Sequence, residues 1–144
     1  MTRTLASIED LSKEAHTFAQ TLSPKEEGAT LITLSGELGA GKTTFVQVLA
    51  RALGVTEHIT SPTFVLAKTY ALTNQAFKEL VHIDAYRLRG ASELKGIGFA
   101  ALCARPEVLL VLEWPECVEG GLPVADVALT LSMQEDQTRI LSYD

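Results

Sequence analysis

The sequence has few cysteines, no long apolar run and no internal repeat. Its two cysteines, Cys103 and Cys117, lack the CxxC spacing of metal or redox motifs, so we expect free thiols or core residues. No apolar stretch reaches the length needed to cross a bilayer. The N-terminal residues also lack the apolar segment of a secretory signal. We therefore expect a cytoplasmic protein that makes no membrane contact.

Positive charge is also scarce. The chain carries 12 Lys and Arg against 18 Asp and Glu, a formal net charge of −6. A lone acidic domain has no general electrostatic attraction to nucleic acid, so a partner is expected to hold any RNA on which it acts. The 144 residues, 47% of them hydrophobic, can bury a core without disulfide or metal staples. We predict a single domain over residues 1–144.

The strongest motif is Gly36-Glu37-Leu38-Gly39-Ala40-Gly41-Lys42-Thr43, which fits the phosphate-loop pattern G-x-x-x-x-G-K-[ST] without a mismatch. The apolar segment 30–35 before it predicts a buried strand, and the periodicity of 44–53 predicts a helix. Free N–H groups at the start of that helix would point at an anion. Lys42 would reach the β- and γ-phosphates, and Thr43 would bind Mg²⁺. The alternative is a glycine-rich turn that binds nothing.

Two carboxylates at strand ends are further candidates. Asp84 ends a predicted strand, where a Mg²⁺ contact could originate; it could instead cap a short helix at 91–94 or pair with Arg87 or Arg89. Glu113 follows an apolar run, as a Walker B carboxylate does, and could hold Mg²⁺ or orient the attacking water. The alternative for Glu113 is a carboxylate at the rim of the sheet.

A hydroxyl-rich loop at 60–64, which begins with Thr60, follows the phosphate-loop helix. Such a loop can fold over a γ-phosphate and act as a switch. A plain turn is the alternative. Trp114, next to Glu113, would cover the end of the sheet or move with the site.

The remaining periodicity predicts the fold. It places a helix at 8–22 with Ser7 as its N-cap, a strand hairpin at 64–71 and 77–84, and short helices near 91–94 and 99–104. A buried strand at 108–112 and a closing hairpin at 126–133 and 138–143 complete the pattern. We predict an α/β P-loop NTPase fold, with a mixed, mostly parallel central sheet, flanking helices and antiparallel hairpins.

The order of the motifs is specific. The phosphate loop and Thr44 are followed by Thr60-Ser61-Pro62-Thr63-Phe64, His82-Ile83-Asp84-Ala85-Tyr86-Arg87-Leu88 and Leu112-Glu113-Trp114-Pro115-Glu116. This ordered set resembles the TsaE (YjeE) family of small bacterial ATPases, which are needed to make tRNA N6-threonylcarbamoyladenosine. The resemblance covers nearly the whole chain.

The resemblance implies roles for the matching positions. Residues 36–44, with Lys42 and the loop amides foremost, would hold the phosphates of ATP. Thr43, Glu113 and Asp84 would be linked to Mg²⁺, and Glu113 and Asp84 would also be catalytic. Thr60, the third catalytic candidate, would lie in the switch-like loop. Trp114 would report on the nucleotide. The other matching residues would pack the core or loops (His82, Tyr86) or face a partner (Arg87), with an arginine finger in cis as a further option for Arg87.

The resemblance also implies partners. Family members dock on a TsaB–TsaD heterodimer, which transfers to tRNA the threonylcarbamoyl group that TsaC activates. ATP hydrolysis would reset that machine, and contact with tRNA would be indirect. By analogy, residues 7–11 are a candidate wall of the adenine site. Relatives often carry glycine in the final hairpin turn, where this chain has Glu135-Asp136-Gln137.

The sequence leaves three other functions to consider: a kinase, a GTPase and a nucleotide-gated binding module. Phosphate-loop kinases share the first motif, but the basic stretch Arg87-Leu88-Arg89 is short for an arginine-bearing lid. A GTPase is disfavoured because no N-K-x-D motif follows the phosphate loop. A nucleotide-gated binding module with negligible turnover of its own overlaps with the ATPase hypothesis.

Overall fold

The computed structural model describes residues 1–57 and 66–143. Within these residues, seven strands form one sheet. They are β1 (Thr2–Leu5), β2 (Thr30–Ser35), β3 (Ala67–Ala71), β4 (Glu79–Asp84), β5 (Val108–Glu113), β6 (Val127–Met133) and β7 (Arg139–Ser142). The α-helices are α1 (Ile8–Gln20), α2 (Lys42–Ala52) and α3 (Phe99–Cys103), and 3₁₀ helices occupy Ala91–Ile97 and Pro115–Val118.

The strand order is β1-β7-β6-β2-β5-β4-β3. The central strands β6, β2, β5 and β4 pair in parallel, whereas β7, β1 and β3 pair antiparallel at the two sides. This confirms the predicted α/β class, with its mixed, mostly parallel sheet and antiparallel hairpins. No helix in the described ranges combines the length and apolar character needed to cross a membrane.

The core lies on both faces of the sheet, which explains why β5 is apolar at successive positions. On one face Val111 packs in the cluster that contains Phe45 of α2. On the other face Leu112 packs in the cluster that contains Phe99 of α3. Because side chains alternate along a strand, the face towards α2 is also the face on which Glu113 lies.

Element boundaries follow the local signals closely. The predicted N-cap of α1 is confirmed, since Ser7 Oγ accepts a hydrogen bond from Asp10 N at 3.1 Å. Helix α2 begins at Lys42, two residues before the predicted start, and Gly54 follows it at φ 91°. Glu113 is the last residue of β5 rather than the first residue after it. The hairpin of β3 and β4 is confirmed as antiparallel.

The final hairpin turn departs from what its sequence favours. Gln137 has a φ of 70°, in the left-handed region that favours glycine. The turn is closed by a hydrogen bond from Gln134 N to Thr138 O at 2.8 Å, and Asp136 Oδ1 accepts from Thr138 N at 3.0 Å. The turn therefore forms with a residue other than glycine in the left-handed conformation.

Replacing Gln137 by glycine should stabilise the protein. The substitution removes left-handed strain, and after the extra chain entropy of glycine we expect a net gain of about 1 kcal/mol in the free energy of unfolding. Urea denaturation should show a higher midpoint at an unchanged m-value. Gln137→Ala is the matched control, since alanine keeps the strain and should give no gain; an equal gain in both variants would contradict the explanation.

Candidate functional site

The candidate site lies where the carboxyl ends of three parallel strands meet. The turn from β2 to α2 starts there, and the register pairs Leu34 of β2 and Asp84 of β4 with the same residue of β5, Glu113. Ligands of α/β sheets bind at this edge, where neighbouring strands connect in different directions. A cavity of about 430 Å³ opens at this point.

The cavity contains most of the residues that the sequence singled out. Its walls come from the phosphate loop, the ends of β4 and β5, and the start of β7. The lining residues are Leu38, Gly39, Gly41, Lys42, Thr43, Thr44, Asp84, Tyr86, Glu113, Trp114 and Arg139. Three predicted phosphate-loop residues, Gly36, Glu37 and Ala40, are not in this lining.

Glycine at two positions has a definite geometric reason. A Cβ on Gly36 would collide with the carbonyl oxygen of Leu131 in β6, whereas one on Gly39 would meet no atom within 4 Å. Gly39 and Gly41 have φ values of 82° and 103°. Gly41 is the N-cap of α2 and makes no side-chain cap bond, so the first N–H groups of the helix are suited to bind an anion.

Lys42 is almost fully buried, with 5% of its surface exposed. Its Nζ donates to the carbonyl oxygens of Gly36, at 2.5 Å, and Glu37, at 2.9 Å. The same Nζ lies 4.1 Å from the ring centroid of Trp114, a cation–π distance. Burial lowers the pKa of Lys42, while the nearby acidic groups, Glu113 foremost, oppose that shift.

Two buried carboxylates lie opposite this lysine. Glu113 is 2% exposed and Asp84 is 6% exposed. Thr43 Oγ1 lies 3.3 and 3.2 Å from the two oxygens of Glu113, and Asp84 Oδ1 accepts from Tyr86 N at 3.0 Å. The N-cap of the 3₁₀ helix at Ala91–Ile97 is Gly90, which makes no side-chain cap bond.

These oxygens fit a hard cation. Mg²⁺ prefers carboxylate, hydroxyl, phosphate and water oxygens, and Thr43, Glu113 and Asp84 supply the first two kinds at the rim of one cavity. Within residues 1–57 and 66–143, no group of three His, Cys, Asp or Glu side chains could hold a metal ion. A Mg²⁺ ion here would therefore take part of its coordination from a ligand or from water.

Trp114 holds a strained backbone conformation at the site. Its φ and ψ are 62° and 53°, left-handed values that are costly for a bulky residue and cluster at functional sites. Trp114 N donates to Leu34 O at 3.1 Å, and the indole ring packs on the 45%-exposed Tyr86 with 4.8 Å between ring centroids. Tyr86 therefore packs on a loop residue rather than in the core.

Two residues of the site gave no clear signal in the sequence. Arg139, at the start of β7, donates from Nε to the Ala40 carbonyl at 2.9 Å. It also lines a second, small pocket of about 60 Å³ together with Thr44, Leu5, Ser7, Ile8 and Leu11. His82 belongs to a motif that gives it no firm role, and it lies fully buried beside Glu113. Thr60 lies outside the described residues.

A strand, a glycine-rich turn and a helix that opens with Lys42 and Thr43 define the phosphate-loop class of α/β folds. Comparison with known proteins then identifies the family. The family described as "Threonylcarbamoyl adenosine biosynthesis protein TsaE" matches residues 5–141. The chain belongs to the TsaE family, as the motif order predicted.

Individual relatives agree with this assignment. The chain is 40% identical over 114 residues to the tRNA threonylcarbamoyladenosine biosynthesis protein TsaE of Treponema pallidum, covering 79% of this chain and 80% of that one. It is 35% identical over 113 residues to the Bacillus subtilis protein of the same name, at 78% and 68% coverage. The crystal structure of Bacillus subtilis YdiB matches with a TM-score of 0.73 and 25% identity, covering 99% of this chain and 83% of that one.

Alanine substitutions should separate the two kinds of glycine in the turn. Gly36→Ala forces a methyl group against the backbone of β6, so we expect a loss of about 3 kcal/mol in the free energy of unfolding, typical of overpacking. Gly39→Ala adds only left-handed strain and should cost about 1 kcal/mol. Urea titrations of both variants against the unmodified chain measure the difference. Equal losses would show that the contact with Leu131 is not what requires glycine.

Proposed function

We propose that this protein binds ATP with its phosphates on the turn between β2 and α2 and hydrolyses it with the help of Mg²⁺. The observation that carries the proposal is the convergence of Lys42, Thr43 and Glu113 in one cavity at the carboxyl ends of parallel strands. The TsaE family assignment supports a role in the process that the relatives' name gives, tRNA threonylcarbamoyladenosine biosynthesis.

Phosphate binding is the first step. The ammonium group of Lys42 donates hydrogen bonds to two backbone carbonyls of its own loop. A phosphate oxygen would replace these carbonyls with a charged acceptor. Hydrogen bonds to ionised groups are roughly twice as strong as neutral ones. The free N–H groups at the start of α2 add to the cradle.

Hydrolysis would depend on the acidic wall of the cavity. Thr43 and Glu113 would hold Mg²⁺, with Asp84 beside them, and the bound ion would neutralise charge on the β- and γ-phosphates. Glu113, the last residue of a fully buried strand, would orient an attacking water. Its low exposure keeps competing solvent away, which strengthens electrostatic interactions at the reacting phosphate.

The base of the nucleotide would lie towards α1. Arg139 and Thr44 line both the main cavity and the small pocket, so the two spaces adjoin at these residues. Leu5, Ile8 and Leu11 give the small pocket apolar walls suited to a planar ring. This agrees with residues 7–11 as the predicted wall of the adenine site.

The role in the cell that we propose is to sustain tRNA N6-threonylcarbamoyladenosine synthesis, in a pathway that includes TsaC. The protein would dock on a TsaB–TsaD heterodimer and reset it by hydrolysing ATP. Its net charge of −6 supports indirect rather than direct contact with tRNA. No observation on the site favours a small-molecule kinase over this function.

Two substitutions should separate binding from hydrolysis. Lys42→Ala should weaken ATP affinity by roughly tenfold or more, the loss of one charge-assisted hydrogen bond. Glu113→Gln should keep the affinity and lose roughly 10²–10⁴-fold in hydrolysis, the range of a lost general base. Calorimetric titration and phosphate release measure the two quantities. Lys13→Ala on the exposed face of α1 is the control, and unchanged ATP affinity in Lys42→Ala would contradict the phosphate site.

Reconstituted tRNA modification tests the cellular role. With TsaB, TsaC and TsaD but without this protein, product should stop near one equivalent per TsaB–TsaD complex. With it, turnover should continue, whereas Glu113→Gln should not sustain it. If the protein binds ATP yet changes nothing in this assay, the proposed role is wrong, and phosphoryl transfer to a small acceptor becomes the function to test.

A further inference from the structure

His82 is a polar, titratable side chain at a core position that an apolar side chain could fill. It is fully buried on β4, on the same face as Leu80 and Asp84, because side chains alternate along the strand. Its ring Nδ1 has no hydrogen-bond partner among the described residues. An unsatisfied buried polar atom is unfavourable, so packing alone would favour an apolar residue here.

The other ring nitrogen makes a direct contact with the acidic wall of the cavity. His82 Nε2 lies 2.5 Å from Oε2 of Glu113. With an ionised carboxylate, which can only accept a hydrogen bond, this contact requires the hydrogen on Nε2. In the register of β4 and β5, His82 is opposite Val111, and Glu113 is its diagonal neighbour. Long side chains can reach across that diagonal.

Two side chains, those of His82 and Thr43, therefore contact the Glu113 carboxylate. His82 approaches Oε2 from inside the sheet, while the Thr43 hydroxyl lies within 3.3 Å of both oxygens from the cavity side. If Thr43 turns to a cation or a phosphate, its hydrogen bond to Glu113 is released. The histidine then remains as the contact that fixes the orientation of the carboxylate.

We propose that His82 is a positioning residue, whose Nε2–H holds the Glu113 carboxylate in the rotamer that faces the cavity. The inference rests on the proposed function, since it assigns Glu113 a task in hydrolysis. Residues that orient the groups around a metal typically contribute 10–100-fold to affinity or activity. The effect should fall on turnover more than on nucleotide affinity, because the phosphate cradle does not include His82.

Three substitutions test this assignment. In His82→Gln the amide nitrogen is as many bonds from Cα as Nε2 is, so the donor is kept. In His82→Asn the donor is one bond too short, and His82→Leu has none. We expect His82→Gln to keep the hydrolysis rate constant within about threefold, and His82→Asn and His82→Leu to lose 10–100-fold. ATP affinity should stay within about threefold in all three variants.

The hydrolysis rates of the His82 variants can also overturn the inference. Hydrolysis within threefold of the unmodified chain in His82→Leu would exclude the positioning role, and so would equal losses in the Gln and Asn variants. A parallel loss of affinity and turnover would point to a structural role instead. If His82→Leu fails to give a cooperative thermal transition, the comparison of Gln with Asn still decides the question.

A measurement without turnover separates this inference from the proposed function. Nitrogen-15 NMR of the His82 ring should show a hydrogen on Nε2 that exchanges slowly with water, and Glu113→Ala should speed that exchange. A hydrogen on Nδ1 instead would overturn the inference alone. If the unmodified chain does not hydrolyse ATP with or without TsaB–TsaD, the proposed function fails, and the positioning role for hydrolysis fails with it.

Discussion

The parallel pairing of β2 with β5 is the constraint on which the rest of the site depends. It places Leu34 directly opposite Glu113, so the start of the glycine-rich turn and the end of the acidic strand lie side by side. A shift of one residue in this register would move Glu113 to the opposite face of the sheet. Leu112, now packed towards α3, would then face α2. Such a shift would bury the carboxylate of Glu113 among the apolar side chains that pack towards α3, so it would be unfavourable.

The same arrangement explains how several charged groups remain buried together. An isolated buried charge is unfavourable, and Lys42 and Glu113, which line one cavity, offset each other's charge. Two loop carbonyls and the ring of Trp114 surround the ammonium group of Lys42, and Thr43 and His82 bind the carboxylate of Glu113. A nucleotide would therefore exchange existing contacts rather than fill an unsatisfied site, and the affinity is the difference between the two sets.

Much of the fold was predictable because its signals are local. The motif at 36–43, the cap at Ser7 and the apolar run before Glu113 each depend on neighbouring residues, and the structure bears out the elements that they predict. The contacts within the site were harder to predict from the sequence. Alternation places His82 on the face of Asp84, but only the strand order places β5 beside it. Arg139 meets Ala40 across 99 positions of sequence, and no local pattern encodes such a contact.

The hairpin of β6 and β7 shows why that long-range part matters. Its backbone and side chains touch the phosphate loop at three points, since Leu131 lies against Gly36, Met133 N donates to Glu37 Oε1 and Arg139 Nε donates to Ala40 O. These contacts lie on both sides of the turn that contains Gln137, so the length of that turn sets which residue of β7 reaches the loop. Left-handed strain at Gln137 does not disturb these contacts, since the hydrogen bond from Gln134 N to Thr138 O closes the turn at its present length. The geometry of the glycine-rich turn thus depends on a hairpin nearly a hundred residues further along the chain.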